Sequence, residues 1–481
     1  MQKILNYIGG EFVAPLNGKF IENIDPSRGL AYSLVPDSSA ADVEKAVEAA
    51  RKSFPAWSQT PVAERSSFIL KLSDLIHRDL DKLAAAESRD NGKPFSVARN
   101  LDIPRSEANF RFFASAILQF HGETFMSDDV ALNYTESSPL GVVACISPWN
   151  LPLYLLSWKI APALAAGNTV VAKPSEVTPM TAFLLCELFK EAGFPPGVLN
   201  MVQGRGSEVG EPLVNHPAVK AISFTGSTLT GRRIAESTAS QFKKVSLEMG
   251  GKNANIIFAD ADFENALATT LRSSFSNQGQ ICLCGSRIFI EKSIYEKFRD
   301  ELVVRTKKLR CGDPKDANTD QGALVSSTHW EKVKACLQTA QKEGGKILCG
   351  GKAPSLEGDL KNGYFLEPTL IEGISHLGIT NQEEIFGPVA TLIPFSTEEE
   401  VIEMANSTRY GLSASVWTSD VKRAHRVARK LESGLVWVNT WMFRDLRTPF
   451  GGVKESGVGR EGGTDALKFF TESKNICIAL K

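Results

Sequence analysis

Excess charge is missing from this chain. Its 54 Lys and Arg stand against 55 Asp and Glu, a formal net charge of −1. So balanced a surface has no bulk field to draw it onto nucleic acid or an acidic membrane. Long apolar runs are missing too. The most apolar stretch, about residues 141–172, is broken by Pro148, Asn150, Pro152, Lys159 and Pro162. It reads as buried α/β core and not as a membrane span. Met1-Gln2-Lys3-Ile4-Leu5-Asn6 does not set a charged segment before a long apolar one. No secretory signal is therefore expected, and the expected location is the cytoplasm. The eight Cys are then expected as reduced thiols. Cys282 and Cys284 form a C-x-C pair, but no second Cys or His pair at metal spacing accompanies them, and the six His are scattered. No metal site is expected. Repeats and low-complexity tracts are also lacking.

What is present is an ordinary globular composition, 43% hydrophobic and 23% charged over 481 residues. That length suggests about three domains. Residues 40–55 and 62–90 carry apolar positions at helical spacing. Val142 to Ser147 reads as a buried strand, Trp158 to Ala166 as a helix, and Thr169 to Lys173 as a strand. Thr181 to Ala192 is a predicted helix and Val198 to Val202 a strand. Ala221 to Phe224 is another strand, with a helix from Arg232 onward. This alternation predicts an α/β fold with a mostly parallel sheet covered by helices. A second alternating stretch runs from about Asn253 to Asn439. Residues 122–140 and 468–481 look like isolated strands.

The chemistry concentrates in three places. Phe275-Ser276-Asn277-Gln278-Gly279-Gln280-Ile281-Cys282 ends in a thiol. Leu247-Glu248-Met249-Gly250-Gly251-Lys252 holds a carboxylate in a glycine-rich setting, and Ser147-Pro148-Trp149-Asn150 an amide. A thiolate is a strong nucleophile, and a carboxylate can take its proton or activate a water. With Lys173-Pro174-Ser175-Glu176, Phe224-Thr225-Gly226-Ser227, Glu383-Glu384-Ile385-Phe386-Gly387-Pro388-Val389 and the run from Pro449 to Glu461, these motifs stand in one order along the chain. In that order they resemble the NAD(P)-dependent aldehyde dehydrogenase superfamily, over nearly the whole length. The resemblance implies a Rossmann-like cofactor domain (residues 1–120 and 141–250), an α/β catalytic domain (251–450) and two oligomerisation strands (121–140 and 468–481). It also implies a homodimer or homotetramer.

The cofactor expectation is NAD. Gly204-Arg205-Gly206-Ser207-Glu208-Val209-Gly210 approaches a dinucleotide fingerprint, but Val209 takes the third glycine's place. Phe224, Gly226 and Ser227 follow a strand and open a helix, where backbone N–H groups can face a pyrophosphate. Taken alone, Ser and Thr there are also ordinary caps. A strand-end carboxylate such as Glu176 can accept from ribose hydroxyls and would repel a 2′-phosphate. By the resemblance, Lys173 and Glu176 fall on the adenosine ribose, and Glu384 and Phe386 beside the nicotinamide ribose and ring. Ile146, Trp149, Ser175, Gly206, Gly210 and Gly250 fall on the same cofactor side.

The implied reaction turns an aldehyde into a carboxylate. Cys282 would attack the aldehyde carbon, and the Asn150 amide with the Cys282 N–H would hold the oxyanion. Glu248 would activate the hydrolytic water. Lys159 and Glu461 match positions assigned to proton relay, or they form a plain ion pair.

The segment Trp441-Met442-Phe443-Arg444-Asp445-Leu446-Arg447 would line the aldehyde pocket, along with Trp158 and with Arg105 from Asp102-Ile103-Pro104-Arg105. Guanidinium groups beside an aldehyde pocket suggest a carboxylate on the substrate. For each Arg the other reading is a surface ion pair, with Asp445 the natural partner of Arg447; Arg111 looks structural. Trp441-x-x-Arg444 with Ile103-Pro104-Arg105 and Cys282-Leu283-Cys284 is similar to the branch that oxidises 2-aminomuconate or 2-hydroxymuconate semialdehydes. A betaine-aldehyde, general aldehyde or CoA-acylating enzyme, or a non-catalytic NAD-binding protein, remains as an alternative.

Overall fold

Val142–Ile146 and Thr169–Lys173 are buried at every residue. Strands covered on both faces belong in the middle of a parallel sheet, and the computed structural model, which describes residues 1–481, puts them there. Five strands run parallel in the order Lys244–Glu248, Val219–Thr225, Val142–Ile146, Thr169–Lys173, Leu199–Met201. Antiparallel strands close both sides. Gly457–Val458 pairs with Lys244–Glu248, Asn6–Ile8 pairs with Leu199–Met201, and Glu11–Val13 lies outermost.

The chain builds outward from Val142–Ile146 to Leu199–Met201, then returns to the other side with Val219–Thr225. That reversal opens a crevice at the carboxyl ends of Val142–Ile146 and Val219–Thr225, the usual ligand position in an open α/β sheet. The largest apolar core joins this sheet to the helices Val62–Arg78, Ile103–Ala116, Pro152–Ala165 and Met180–Ala192. Phe110 and Phe113 are fully buried in it, each contributing about 1.5–3 kcal/mol.

A second sheet has the order Lys346–Cys349, Thr369–Glu372, Val389–Phe395, Arg287–Glu291, Ala254–Ile257, Ser413–Trp417, Leu435–Val438. Only its first strand is antiparallel to its neighbour. The short link from Met249 to Asn253 joins the two sheets. It brings the carboxyl end of Lys244–Glu248 to the amino ends of Ala254–Ile257 and Arg287–Glu291. Cys282 precedes Arg287–Glu291 and so faces the crevice side of the first sheet.

The two isolated strands do pair. Thr471–Ala479 runs antiparallel to Ala131–Pro139 over nine residues, from Thr471 opposite Pro139 to Ala479 opposite Ala131, and Thr124–Ser127 adds a third strand. No helix is long and apolar enough to cross a membrane.

Two helices start earlier than their sequence suggests. The predicted Trp158–Ala166 helix is Pro152–Ala165. Pro152 sits in its first turn, where a missing N–H costs nothing. The helix expected from Arg232 begins at Thr228, because the Ser227 hydroxyl caps it by accepting from Thr230 N at 3.2 Å.

Candidate active site

The loop before Cys282 is bent by its own backbone. Asn277, Gln278 and Gly279 all have positive φ, at 50°, 57° and 70°. At Gly279 a Cβ would lie 2.1 Å from the Gly387 carbonyl oxygen, so only glycine fits. The loop ends with Cys282 half-buried against Trp437, Trp441 and Phe450. Asn253 Nδ2 donates to the Cys282 carbonyl at 2.7 Å, and Trp441 Nε1 donates to Leu283 O at 2.9 Å. Both contacts fix the thiol's backbone.

Asn150 reaches this loop. Its Nδ2 donates to Gln280 O at 3.0 Å. Its own carbonyl accepts from Asn277 Nδ2 and from Lys93 Nζ, each at 3.0 Å. Lys93 is fully buried and also bonded to Asp102, with Glu87 at 3.8 Å. Burial pushes the Glu87 carboxyl up to about 7, against the pull of Lys93. Asp102 directly precedes the helix Ile103–Ala116, which carries Arg105. One buried ammonium therefore ties the Asn150 turn to the Arg105 helix. The five residues leading into that helix, Ala98–Asp102, form a π turn, a feature common beside functional sites.

Glu248 ends its strand 3% exposed, and neither carboxylate oxygen has a hydrogen-bond partner. Burial raises its pKa well above the ordinary range, and the nearby Glu461 pushes the same way; Lys159, Arg460 and Arg444 oppose them. Lys159 and Glu461 form a buried pair at 2.6 Å, with the Ser223 hydroxyl donating to Glu461 at 3.2 Å. Burial likewise raises the Cys282 thiol, helped by the Glu384 and Glu248 carboxylates, while Arg444 pulls it back down. A cation beside the thiol favours the thiolate, and a carboxyl held above its ordinary range is a stronger base once it ionises; both suit nucleophilic acyl chemistry.

The cofactor candidates ring the crevice. Ile146 and Trp149 lead out of one central strand, and Phe224, Gly226 and Ser227 out of the next. Lys173 Nζ meets Glu176 at 2.7 Å. Despite burial, Lys173 and the Gly206 amide hold the Glu176 carboxyl below its usual value, so it stays ionised. Ser175 lies between them on the same turn. Gly206 opens a π turn that runs to Gly210, with open space where either Cβ would be. Glu384 accepts from Gly251 N at 3.0 Å, and burial lifts its pKa to about 7. A Cβ on Gly250 would lie 2.0 Å from Glu384 Oε2, so that glycine is what admits the carboxylate. Phe386 has a φ of 60° and stands edge-on to Trp149, ring centres 5.2 Å apart.

Sequence reasoning missed His329. It packs 5.0 Å from Trp149, and its Nε2 pairs with the Phe386 carbonyl at 2.7 Å. Burial lowers its pKa to about 4, so it is neutral and donates that bond. A lone His on the helix Ser327–Lys342 carries no local signal of this.

The arginines divide cleanly. Arg447 is 80% exposed and paired with Asp445 at 2.6 Å. That guanidinium holds the Asp445 carboxyl down to about 2. Arg111 pairs with Asp74 at 2.6 Å. Arg105 and Arg444 have no carboxylate partner. Their guanidinium carbons lie 6.0 and 5.3 Å from the Trp158 ring centre, and Arg444 stacks on Phe450 at 3.8 Å. Arg105 Nη1 is spent on Arg444 O at 3.4 Å, but its Nε and Nη2 are buried without any acceptor. Those two nitrogens form one edge of the guanidinium, the edge that grips a carboxylate with two parallel bonds.

The aldehyde dehydrogenase family matches residues 12–476. The chain belongs to that family. It is 55% identical to the 2-aminomuconic semialdehyde dehydrogenase of Danio rerio, over 98% of this chain and 97% of that protein. It is 44% identical to the 2-hydroxymuconic semialdehyde dehydrogenase of Pseudomonas sp. (strain CF600), over the whole of both. The NAD+ complex of an aldehyde dehydrogenase from Bacillus cereus superposes with a TM-score of 0.97 at 42% identity, covering 100% of this chain and 97% of that one. The dehydrogenase fold expected from the motifs is thus the fold found.

Proposed function

We propose that this dehydrogenase uses NAD to oxidise a carboxylate-bearing semialdehyde, such as 2-aminomuconate or 2-hydroxymuconate 6-semialdehyde, to the dicarboxylate. The observation that carries the substrate reading is the buried, acceptor-free Nε/Nη2 edge of Arg105 beside Arg444, which has no carboxylate partner. A buried donor without an acceptor requires an explanation, and a substrate carboxylate supplies one. The same two cations oppose a betaine aldehyde, because like charges repel in a desolvated site. The names of the relatives agree with this reading.

Cys282 adds to the aldehyde carbon as thiolate, assisted by the charge of Arg444. The oxyanion takes hydrogen bonds from the Asn150 amide and the Cys282 N–H. NAD, when bound, supplies the acceptor for the hydride whose loss leaves a thioester on Cys282. Glu248 then takes a proton from water, which hydrolyses the thioester. The Lys159–Glu461 pair, close enough to act on Glu248 through its charge, offers a path for that proton. Glu176 and Lys173 would hold the adenosine ribose, and Glu384 and Phe386 the nicotinamide side. Residues 1–120 and 141–250 serve the cofactor, and 251–450 carry the thiol. The small sheet, with Phe125, Met126 and Ile478 exposed, joins subunits into a homodimer or homotetramer.

Two measurements check this. Asn150→Ala should lower kcat by about 10²–10³, the usual cost of one oxyanion donor. Arg105→Met should raise KM for 2-hydroxymuconate semialdehyde about 10- to 100-fold, the worth of charge-assisted bonds to a carboxylate. NADH formation with benzaldehyde, run beside it, should show no such rise. A wild-type enzyme that prefers benzaldehyde would refute the substrate reading.

A further inference from the structure

We propose that the Tyr154 hydroxyl is a third donor to the substrate carboxylate and a determinant of acid selectivity. The proposal rests on the reading that Arg105 and Arg444 face that carboxylate.

Tyr154 sits one turn after Asn150, and Trp158 one turn further, on the helix Pro152–Ala165. Its side chain is 2% exposed. Arg444 Nη1 donates to its hydroxyl oxygen at 3.3 Å, and the Arg105 guanidinium carbon lies 5.6 Å from its ring centre. Both arginines thus converge on one phenol. A phenol has one proton to give and lone pairs to accept. With Arg444 donating to the oxygen, the O–H is what remains, and it makes no hydrogen bond of its own to the protein. A bond accepted from a cation also polarises the hydroxyl and strengthens it as a donor. Beside it lie Arg105 Nε and Nη2, buried and equally without acceptors.

Donors without acceptors thus come from two packed helices. Asn109, one turn beyond Arg105, holds those helices together by donating to Tyr154 O at 3.1 Å and Ser157 Oγ at 3.0 Å. Such a group matches an anion with several lone pairs, and a carboxylate has about four. It also selects by exclusion. A substrate lacking the acid end leaves these buried donors unpaired, which is how polar sites reject isosteres strongly.

The test is Tyr154→Phe, which keeps the ring under Arg105 and removes only the hydroxyl. kcat and KM are measured separately for 2-hydroxymuconate semialdehyde and benzaldehyde. The preference ratio in kcat/KM should fall about 10- to 100-fold, with the loss in KM for the acid-bearing substrate. Equal losses on both substrates, or a loss confined to kcat, would overturn the proposal and leave Tyr154 as helix packing. Tyr154→Leu, which removes the ring as well, should lower the ratio at least as far, and a ratio that stays at the parent's value in it would overturn the proposal even should the Phe variant not fold. Arg105→Met, run in parallel, separates the two levels. If it collapses the preference and Tyr154→Phe does not, the hydroxyl has no such role. If neither moves the ratio, the carboxylate reading fails with it.

Discussion

Cys282→Ala should lower kcat/KM by about 10⁴ or more while NAD binding persists, because removing a nucleophile deletes the covalent path and not a contact. The surroundings explain why nothing else takes over. Cys284 is two residues on, but it is buried, whereas Cys282 keeps part of its surface exposed and has Arg444 beside it. Steady-state NADH formation and NAD titration on the same preparation check both halves. Turnover within tenfold of the parent would mean that another group attacks the aldehyde.

Glu248→Gln should separate the two half-reactions. Thioester formation needs the thiol, the oxyanion donors and the bound cofactor, so the first turnover should survive as a burst of about one NADH per site. Hydrolysis needs a base, and the steady rate should then drop about 10²–10⁴. The pH profile carries an independent sign. A carboxyl held above its ordinary range acts as a base only once it ionises, so in the parent enzyme the steady rate should rise with pH through a region above the usual carboxylate range. Glu248→Gln should lose that limb. Rapid-mixing kinetics across pH would show it, and a variant with neither burst nor altered limb would remove Glu248 from the hydrolytic step.

Much of this was legible in the residues, for identifiable reasons. The parallel core showed because Val142–Ile146 and Thr169–Lys173 are buried on both faces and so read as unbroken apolar runs. The Arg447–Asp445 pair showed because its partners are two residues apart. Helix starts at Pro152 and Thr228 were hidden by residues that punctuate as readily as they begin. His329 was invisible because its neighbours, Trp149 and Phe386, come from distant segments. Tyr154 did carry a signal that went unused. Asn150, Tyr154 and Trp158 recur every four residues, so a helix starting at Pro152 stacks the last two on one face.

Lys93 has a consequence for the substrate's length. It holds the Asn150 carbonyl with one bond and Asp102, at the root of the Arg105 helix, with another. On the proposed reading, the place for the aldehyde oxygen and the place for the acid end are thus pinned to the same buried nitrogen. The site is a ruler with fixed marks. A semialdehyde of the right span meets both marks at once, and a shorter or longer one must give up one of them. Redesigning the pocket lining would change what fits between the marks, while the distance between them stays with residues that never touch the substrate.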